Sequence, residues 1–518
     1  MKLNYKRTIL VGFAFFLISA FWQAYDATIP VILTNKFGMS QTWSGVIMAL
    51  DNILAVFMLP LFGALSDKCS TRFGKRTPFI TIGTTVAAVA LVALSFVDGA
   101  QLKNIADVAA IDDPAALAVV YDAKAETRLQ TPEGQEYVLS DIFTKEEFTR
   151  ITCKVVDADT GKSVTSKDYT NYVAPARQSY VADRTAANST PLILFVALLL
   201  VVLVAMATFR SPAVALMPDV TIKPLRSKAN AVINLMGTAG GILVLVLGMV
   251  FATSAVQNAM MRYTVYYSVI AAIMLGALAV FLLTVREPAW SKQMALDSVR
   301  LGIEEEESPK VGEKRSLSAS EKRSLILILM SIALWYFGYN AVTSKYSVYA
   351  TNILGKDYNT TMLLAQAAAI VAYIPAGLVA SKIGRKKTIM TGVVMLTTAF
   401  GVAAFMRASS PTWLMNMMFA LAGIAWATIN VNSFPMVVEM CSGADIGKYT
   451  GYYYTASMAA QIATPMLSGF LMDHIAETVL FPYASIFVAL AFVTMAFVMH
   501  GDNKVVAKKG LDAFDTDD

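Results

Sequence analysis

The chain is written in long apolar blocks separated by short polar interruptions. Twelve blocks are long enough to cross about 30 Å of hydrocarbon as helix, which takes about 20 residues at 1.5 Å each. They run roughly over 8–33, 42–65, 77–97, 191–217, 228–252, 263–285, 323–350, 360–381, 387–406, 411–437, 449–472 and 479–500. The pattern predicts an all-α membrane protein with twelve transmembrane helices. The first block is too long for the apolar region of a signal peptide, and AFWQAYDATIP makes a poor cleavage site, so it is read as a span. Two stretches break the pattern. Residues 98–190 carry fifteen acidic and ten basic side chains. Within them LQTPEGQEYVL and ITCKVVDADTGKSVTS flank polar, Gly-containing turns with β-prone runs, which predicts a small, partly β module. Residues 286–322 are charged and Ser-rich, and read as a linker around a short amphipathic helix. The expected organisation is therefore an N-terminal six-helix bundle from 1–97 and 191–285, the insertion 98–190, the linker 286–322, a C-terminal six-helix bundle 323–500 and a tail 501–518.

Composition agrees with the pattern: 56% of residues are hydrophobic and 15% charged, against roughly half and about a quarter in soluble domains. The basic residues are concentrated in loops on one side. Lys2, Lys6 and Arg7 precede the first span, residues 63–80 follow the second, Lys223, Arg226 and Lys228 follow the fourth, and Lys382, Arg385, Lys386 and Lys387 follow the eighth. The positive-inside rule makes this side cytoplasmic, with both termini, and puts the insertion outside. The net charge of +5 then faces anionic lipid and calls for no nucleic acid. Cys69 and Cys441 fall on one side and Cys153 on the other, so no disulfide is expected. Two histidines, with no metal-ligand spacing, P-loop or nucleophile elbow, leave no enzyme chemistry, no metal site and no cofactor.

The two sets of six spans echo each other. GALSDKCSTRFGKRTPFI at 63–80 recurs in shorter form as GLVASKIGRKKT at 377–388, matching Gly63 and Asp67 with Gly377 and Ser381. AFWQAYDATI at 20–29 parallels LWYFGYNAVT at 334–343, which sets Asp26 opposite Asn340. Two six-span units related by an axis along the membrane normal make a pseudo-symmetric carrier architecture. These motifs resemble the major facilitator superfamily, whose loop between the second and third spans carries Gly-x-x-x-Asp followed by Gly-Arg-Lys-like residues. More narrowly, SDKCSTRFGKRTPFI, FRSPAVALMPDVTIKPLRSKANA (209–231) and WATINVNSFPMVVEM (426–440) are similar to the sucrose/proton symporters and the related glycoside-pentoside-hexuronide cation symporters. The resemblance extends over the whole chain except 98–190.

The resemblance implies a latch on the cytoplasmic side. Gly63 would admit a close helix, Asp67 would accept backbone N–H groups and pair with a guanidinium, and Arg72, Lys75 and Arg76 would pair with Asp219 and Glu439. Gly377, Ser381 and Arg385 would form a weaker second copy.

Polar groups inside the spans cost about 2.5–3.5 kcal/mol per charge on insertion scales, so they mark a path. Asp26 and Asp51 lie twelve to thirteen positions either side of the turn at Gly38 and Met39, at one depth about 19 Å from it. They suit a coupling proton or Na⁺, with Arg210 as their countercharge. Plant sucrose carriers place their basic residue two positions after the equivalent of Pro212, where this chain has Val214, so the role does not transfer directly. Sugar sites pair aromatic faces with amides and hydroxyls. Trp22 and Tyr25 beside Asp26, Trp335 and Tyr339 beside Asn340, and Asn234, Gln366, Ser457 and Gln461 supply both. The expected function is cation-coupled symport of a sugar or glycoside such as sucrose or another disaccharide by alternating access. A drug or organic-anion exporter of the same fold is the alternative. The resemblance further implies a monomer in the plasma membrane.

Overall fold

The computed structural model describes residues 3–156, 163–222, 225–300, 317–438, 440 and 446–501. Glu439, Lys223 and Cys441 lie outside the described residues. The long helices are α1 (Tyr5–Asn35), α2 (Gln41–Lys68), α3 (Thr77–Asn104), α8 (Thr190–Val220), α9 (Arg226–Val250) and α10 (Thr264–Thr284) in the first half. The second half holds α12 (Ala319–Val348), α13 (Tyr358–Ile383), α14 (Arg385–Ala404), α15 (Thr412–Val438), α16 (Ile446–His474) and α17 (Leu480–Ala496). Between the halves, α11 (Glu287–Arg300) is the short linker helix. Ten of the described helices are long and apolar enough to cross a membrane. Two further helices, α13 and α16, are 26 and 29 residues long.

Several helices outrun their apolar blocks because side-chain caps, rather than the hydrophobic pattern, decide where they start. Asn4 accepts from the Arg7 amide ahead of α1, and Ser40 caps α2. Ser318 and Glu321 form a capping box that starts α12 before its apolar run. At its other end α3 continues past position 97 to Asn104 and roots the insertion.

Each half packs around its own core, one containing Phe21, Leu91, Met206 and Tyr267, the other Trp335, Leu396, Phe481 and Val488. The halves meet most intimately where α2 crosses α16. A Cβ at Gly45 would lie 1.9 Å from the Pro465 carbonyl oxygen, and one at Gly469 2.2 Å from that of Gln41, so only glycine permits this approach. Asp473 of α16 fixes the contact by accepting from the amides of Gln41 (2.8 Å) and Thr42 (2.7 Å) and from the Thr42 hydroxyl (2.5 Å). A carboxylate here satisfies orphan amides at the start of α2 and complements its dipole. Lys345 adds a bond to the Gln41 carbonyl at 2.6 Å.

The insertion is largely helical, with α4 (Pro114–Lys124), α5 (Leu139–Ile142), α6 (Lys145–Thr149), a π-helical turn (Tyr169–Val173) and α7 (Ala174–Ala187). The two segments with the hairpin pattern carry short antiparallel pairs, β1 (Arg128–Gln130) with β2 (Glu136–Val138) and β3 (Lys154–Val156) with β4 (Ser163–Thr165). Leu117, Phe148, Cys153 and Val173 belong to its separate core. Burial, with the Asp112 carboxylate beside it, pushes the Cys153 thiol up to about 12, so it stays protonated. The insertion also touches the C-terminal half. Thr478 N donates to the Pro132 carbonyl (3.1 Å), Arg407 pairs with Glu133 (3.0 Å) and Thr165 donates to the Gly355 carbonyl (3.1 Å).

The sequence reading passed over a fully buried ion pair. Lys36, at the end of α1, and Asp98 of α3 are both fully buried with their charges 2.5 Å apart. Lys36 also donates to the Met261 carbonyl (2.6 Å) and faces the Tyr263 ring (4.5 Å). It thereby pins α1, α3 and the start of α10 together. Removing one partner of such a pair strands a buried charge. Asp98→Asn should therefore destabilise the protein by about 3–5 kcal/mol in denaturant unfolding in mixed micelles, whereas Lys36→Met combined with Asp98→Leu costs less. An Asp98→Asn protein as stable as the parent would refute this account of the pair.

Candidate functional site

A cavity of about 600 Å³ lies between the halves. The N-terminal half contributes Trp22, Gln23 and Asp26 from α1, Arg210 from α8 and Asn234 and Thr238 from α9. The C-terminal half contributes Tyr339 and Thr343 from α12, Gln366 and Tyr373 from α13 and Trp426 from α15. Tyr339 and Trp426 stack in parallel, with centroids 3.6 Å apart and planes 6° apart, forming an aromatic wall. Opposite, the Arg210 guanidinium lies 5.7 Å from the centre of the Trp22 ring. The Gln366 side-chain amide donates to Gln23 Oε1 at 2.5 Å and so bridges the halves at the cavity wall.

A smaller chamber of about 160 Å³ adjoins the cavity and shares Trp22, Asp26, Arg210 and Thr343 with it. Asp51, Asn52, Asn340, Ser344 and Gln461 complete its polar lining. Asn52 donates to Asp51 at 2.9 Å. The two acids that the sequence places at one depth thus share one polar chamber with Arg210, and the C-terminal half adds the amides of Asn340 and Gln461. Such an arrangement can take up or release a cation, because two carboxylates facing one small volume oppose full ionisation of both.

Some sequence-derived residues do not reach either space. Trp335 is 1% exposed and sits in the C-terminal core. Tyr25 is buried in the N-terminal core against Phe21 and Trp22. Ser457 is buried and donates to the Tyr454 carbonyl within α16. Conversely Gln23, Trp426, Tyr373 and Thr343 line the cavity and were missed. Gln23 was findable as the polar neighbour of Trp22, and Trp426 stands at the head of WATINVNSFPMVVEM.

Hydrogen bonds join the halves at the central cavity and toward the insertion. They include Asp473 on α2, the Asn35–Asn352 amide pair, Ser347 to the Asp26 carbonyl and Ser254 to Asp357. The cavity is therefore closed on the insertion side.

On the opposite side the 63–80 loop is held within its own half. Arg76, 6% exposed, pairs with Asp219 at 2.7 Å and Asp67 at 2.5 Å, and also bonds Ser66. Arg72 does not take a carboxylate among the described residues; it lies over the Phe73 ring at 4.6 Å. Backbone capping falls not to Asp67, whose side chain is 64% exposed, but to Glu287 of the linker helix. Glu287 accepts from the amides of Lys75 (2.6 Å), Arg76 (2.9 Å) and Thr77 (2.8 Å) and from the Thr77 hydroxyl (2.7 Å). Gly63 faces Ser211 Oγ, whereas a Cβ at Gly377 would meet nothing within 4 Å. In the second copy Arg385 is buried at the start of α14, and Lys386 bonds the Ala496 and Val498 carbonyls at the end of α17.

Residues 10–101 match the family described as MFS/sugar transport protein, and residues 325–513 the family described as Major Facilitator Superfamily. The MFS-type transporter ppzB of Metarhizium rileyi (strain RCEF 4871) is 25% identical over 154 residues, 30% of this chain and 31% of that protein. Sucrose transport protein SUC4 of Arabidopsis thaliana is 29% identical over 74 residues, 14% of each chain. The matches thus span less than a third of either relative's own length. Among solved structures, the inward open conformation of the xylose transporter XylE from E. coli is similar in fold, with 15% identity, 96% of this chain and 97% of that chain covered and a TM-score of 0.56.

The Glu287 contacts yield a local prediction. Each hydrogen bond to a charged acceptor contributes about 1.5–3 kcal/mol. Glu287→Ala should therefore speed hydrogen exchange of the amides at Lys75, Arg76 and Thr77 by at least about tenfold, a change of 1.4 kcal/mol, while amides in α14 keep their protection. Unchanged exchange at 75–77 would show that the carboxylate does not hold the loop.

Proposed function

From the premise that this chain is a transporter of the major facilitator superfamily rather than an enzyme, we propose that it carries a neutral sugar or glycoside, sucrose or another disaccharide, together with a proton. Na⁺ is the alternative coupling ion. The twelve long helices are read as twelve spans in two six-helix bundles that rock about the central cavity. Both termini are assigned to the cytoplasm and the insertion to the outside, the protein being a plasma-membrane monomer.

One observation carries the reading. The cavity sets the Tyr339–Trp426 wall, which suits the C–H face of a pyranose, against the amides of Gln23, Asn234 and Gln366 and the Arg210 guanidinium, which suit its hydroxyls. Its volume falls within the roughly 300–1,000 Å³ of small-molecule sites. The chamber holding Asp26 and Asp51 opens beside it, so an ion and a sugar can favour the same closed state. The name of the sucrose transport relative supports the same solute class. The second reading, a drug or organic-anion exporter, draws on the apolar part of the wall, where Phe15, Met362, Ile370, Phe400 and Phe419 lie.

Uptake of radiolabelled sucrose and glucose into proteoliposomes, under an imposed proton or sodium gradient, separates the two. Accumulation of neither sugar under either gradient, with extrusion of a lipophilic anion instead, would transfer the assignment to the exporter. Given sugar accumulation, Asp26→Asn and Asp51→Asn should each abolish it, while at least one still exchanges sugar across the membrane, where no net ion movement is needed. If both neutral variants still concentrate sugar, the coupling site is elsewhere. Asp67→Asn removes one of the two carboxylates on Arg76 and lies far from the cavity. It should reduce uptake by about tenfold through the conformational equilibrium and leave the sugar Kd unchanged; a Kd weakened in parallel would contradict the latch.

A further inference from the structure

A second chamber, about 260 Å³, lies apart from the central cavity, where the insertion meets both halves. Gln130 and Gln178 face it from the insertion, Ser40 from the start of α2, and Asn352, Asp473 and Glu477 from the C-terminal half. We propose that this chamber is a second binding site, for a monosaccharide or small polyol, whose occupancy holds the insertion side closed.

The chemistry of the lining selects that class. Among the described residues neither an Arg or Lys nor an aromatic ring lines the chamber, which disfavours anions and removes the cage that a quaternary ammonium needs. What remains is amide, hydroxyl and carboxylate. Such groups pair with vicinal hydroxyls, each of which donates once and accepts twice, and a carboxylate can take both O–H groups of a diol. The Lys345 ammonium stands behind Asp473 and Glu477 and offsets part of their charge, which favours a neutral solute over a cation.

The coupling to conformation follows from who supplies the walls. Insertion and C-terminal half come together through Arg407–Glu133, Thr478–Pro132 and Thr165–Gly355. Opening the insertion side would part them and dismantle the chamber, so a ligand of the assembled chamber shifts the population toward closure. The identity of the solute in the central cavity plays no part in this.

The test is hydrogen exchange of the purified full chain in lipid nanodiscs, with D-glucose and sorbitol as probes. At ten times its Kd, one of them should slow exchange of the amides at 129–131 and 176–179 about tenfold. Ser179→Trp, which fills the chamber from the insertion, should remove the effect, and Glu477→Gln should weaken the probe's apparent affinity at least about tenfold. Trp426→Ala, in the central cavity, should leave it in place. No slowing with either probe in the high millimolar range overturns the proposal, as does equal slowing in Glu477→Gln and the parent, or a signal lost in Trp426→Ala. Should Ser179→Trp misfold, the Glu477→Gln and Trp426→Ala comparison decides alone. Sugar uptake is measured separately, so a failed transport assignment and a failed second site remain distinguishable.

Discussion

A polar group left unpaired in hydrocarbon costs several kcal/mol, and that constraint arranges this protein. It has two solutions, and the chain uses them in different places. Where rigidity is wanted, charges are consumed by partners: Lys36 by Asp98 and a carbonyl, Arg76 by Asp67, Asp219 and Ser66, and the orphan amides of α3 by Glu287. Where a path is wanted, charges and amides instead converge on open volume. Asp26, Asp51, Arg210, Asn340 and Gln461 come from five helices in both halves to line one small chamber. Neither half completes it alone. Any relative movement of the halves therefore changes the surroundings of the two acids, which is the physical requirement for linking an ion to a conformational cycle.

The long helices were legible because length and apolarity carry them, and the polar stretches 98–190 and 286–322 stood out as interruptions of that pattern. Asp26 and Asp51 were legible too, since equal spacing from a tight turn fixes depth on antiparallel neighbours. Rotation about a helix axis was not. A span with lipid on one side and apolar core on the other presents similar residue types to both, so spacing alone cannot say which face looks inward. Hence Trp22 and Tyr339 line the cavity, while Tyr25 and Trp335, on helices of the same two segments, are packed in the cores. Residues whose roles depend on distant partners were equally hidden. Glu287 caps a helix that begins more than two hundred positions earlier, and Asp473 caps one more than four hundred earlier.

The two copies of the 63–80 motif have diverged in a way that physical chemistry makes intelligible. The first keeps an acid at 67, a longer spacer and a linker helix beneath it, and there a guanidinium and a carboxylate tie α2, α3, α8 and α11 together. The second has Gly377 facing open space, and its basic residue Lys386 turns to the final carbonyls of α17, where a cation meets the negative end of the helix dipole. The first copy braces several helices, and in the second Lys386 joins the start of α14 to the end of α17.

The insertion adds a term that neither half contains, and its size can be bounded. The Arg407–Glu133 pair is substantially exposed on both sides, so it contributes at most about 1 kcal/mol. The bonds of Thr478 to Pro132 and Thr165 to Gly355 add about 0.5–1.5 kcal/mol each. The sum, a few kcal/mol, matches the free-energy differences that typically separate two conformations of one protein. It is too small to lock the insertion side shut and large enough to shift its population by orders of magnitude. The α2–α16 contact is different in kind: Asp473 there meets three donors, and two glycines let backbones touch. Closure therefore rests on α2 and α16, and the insertion sets how strongly it is preferred.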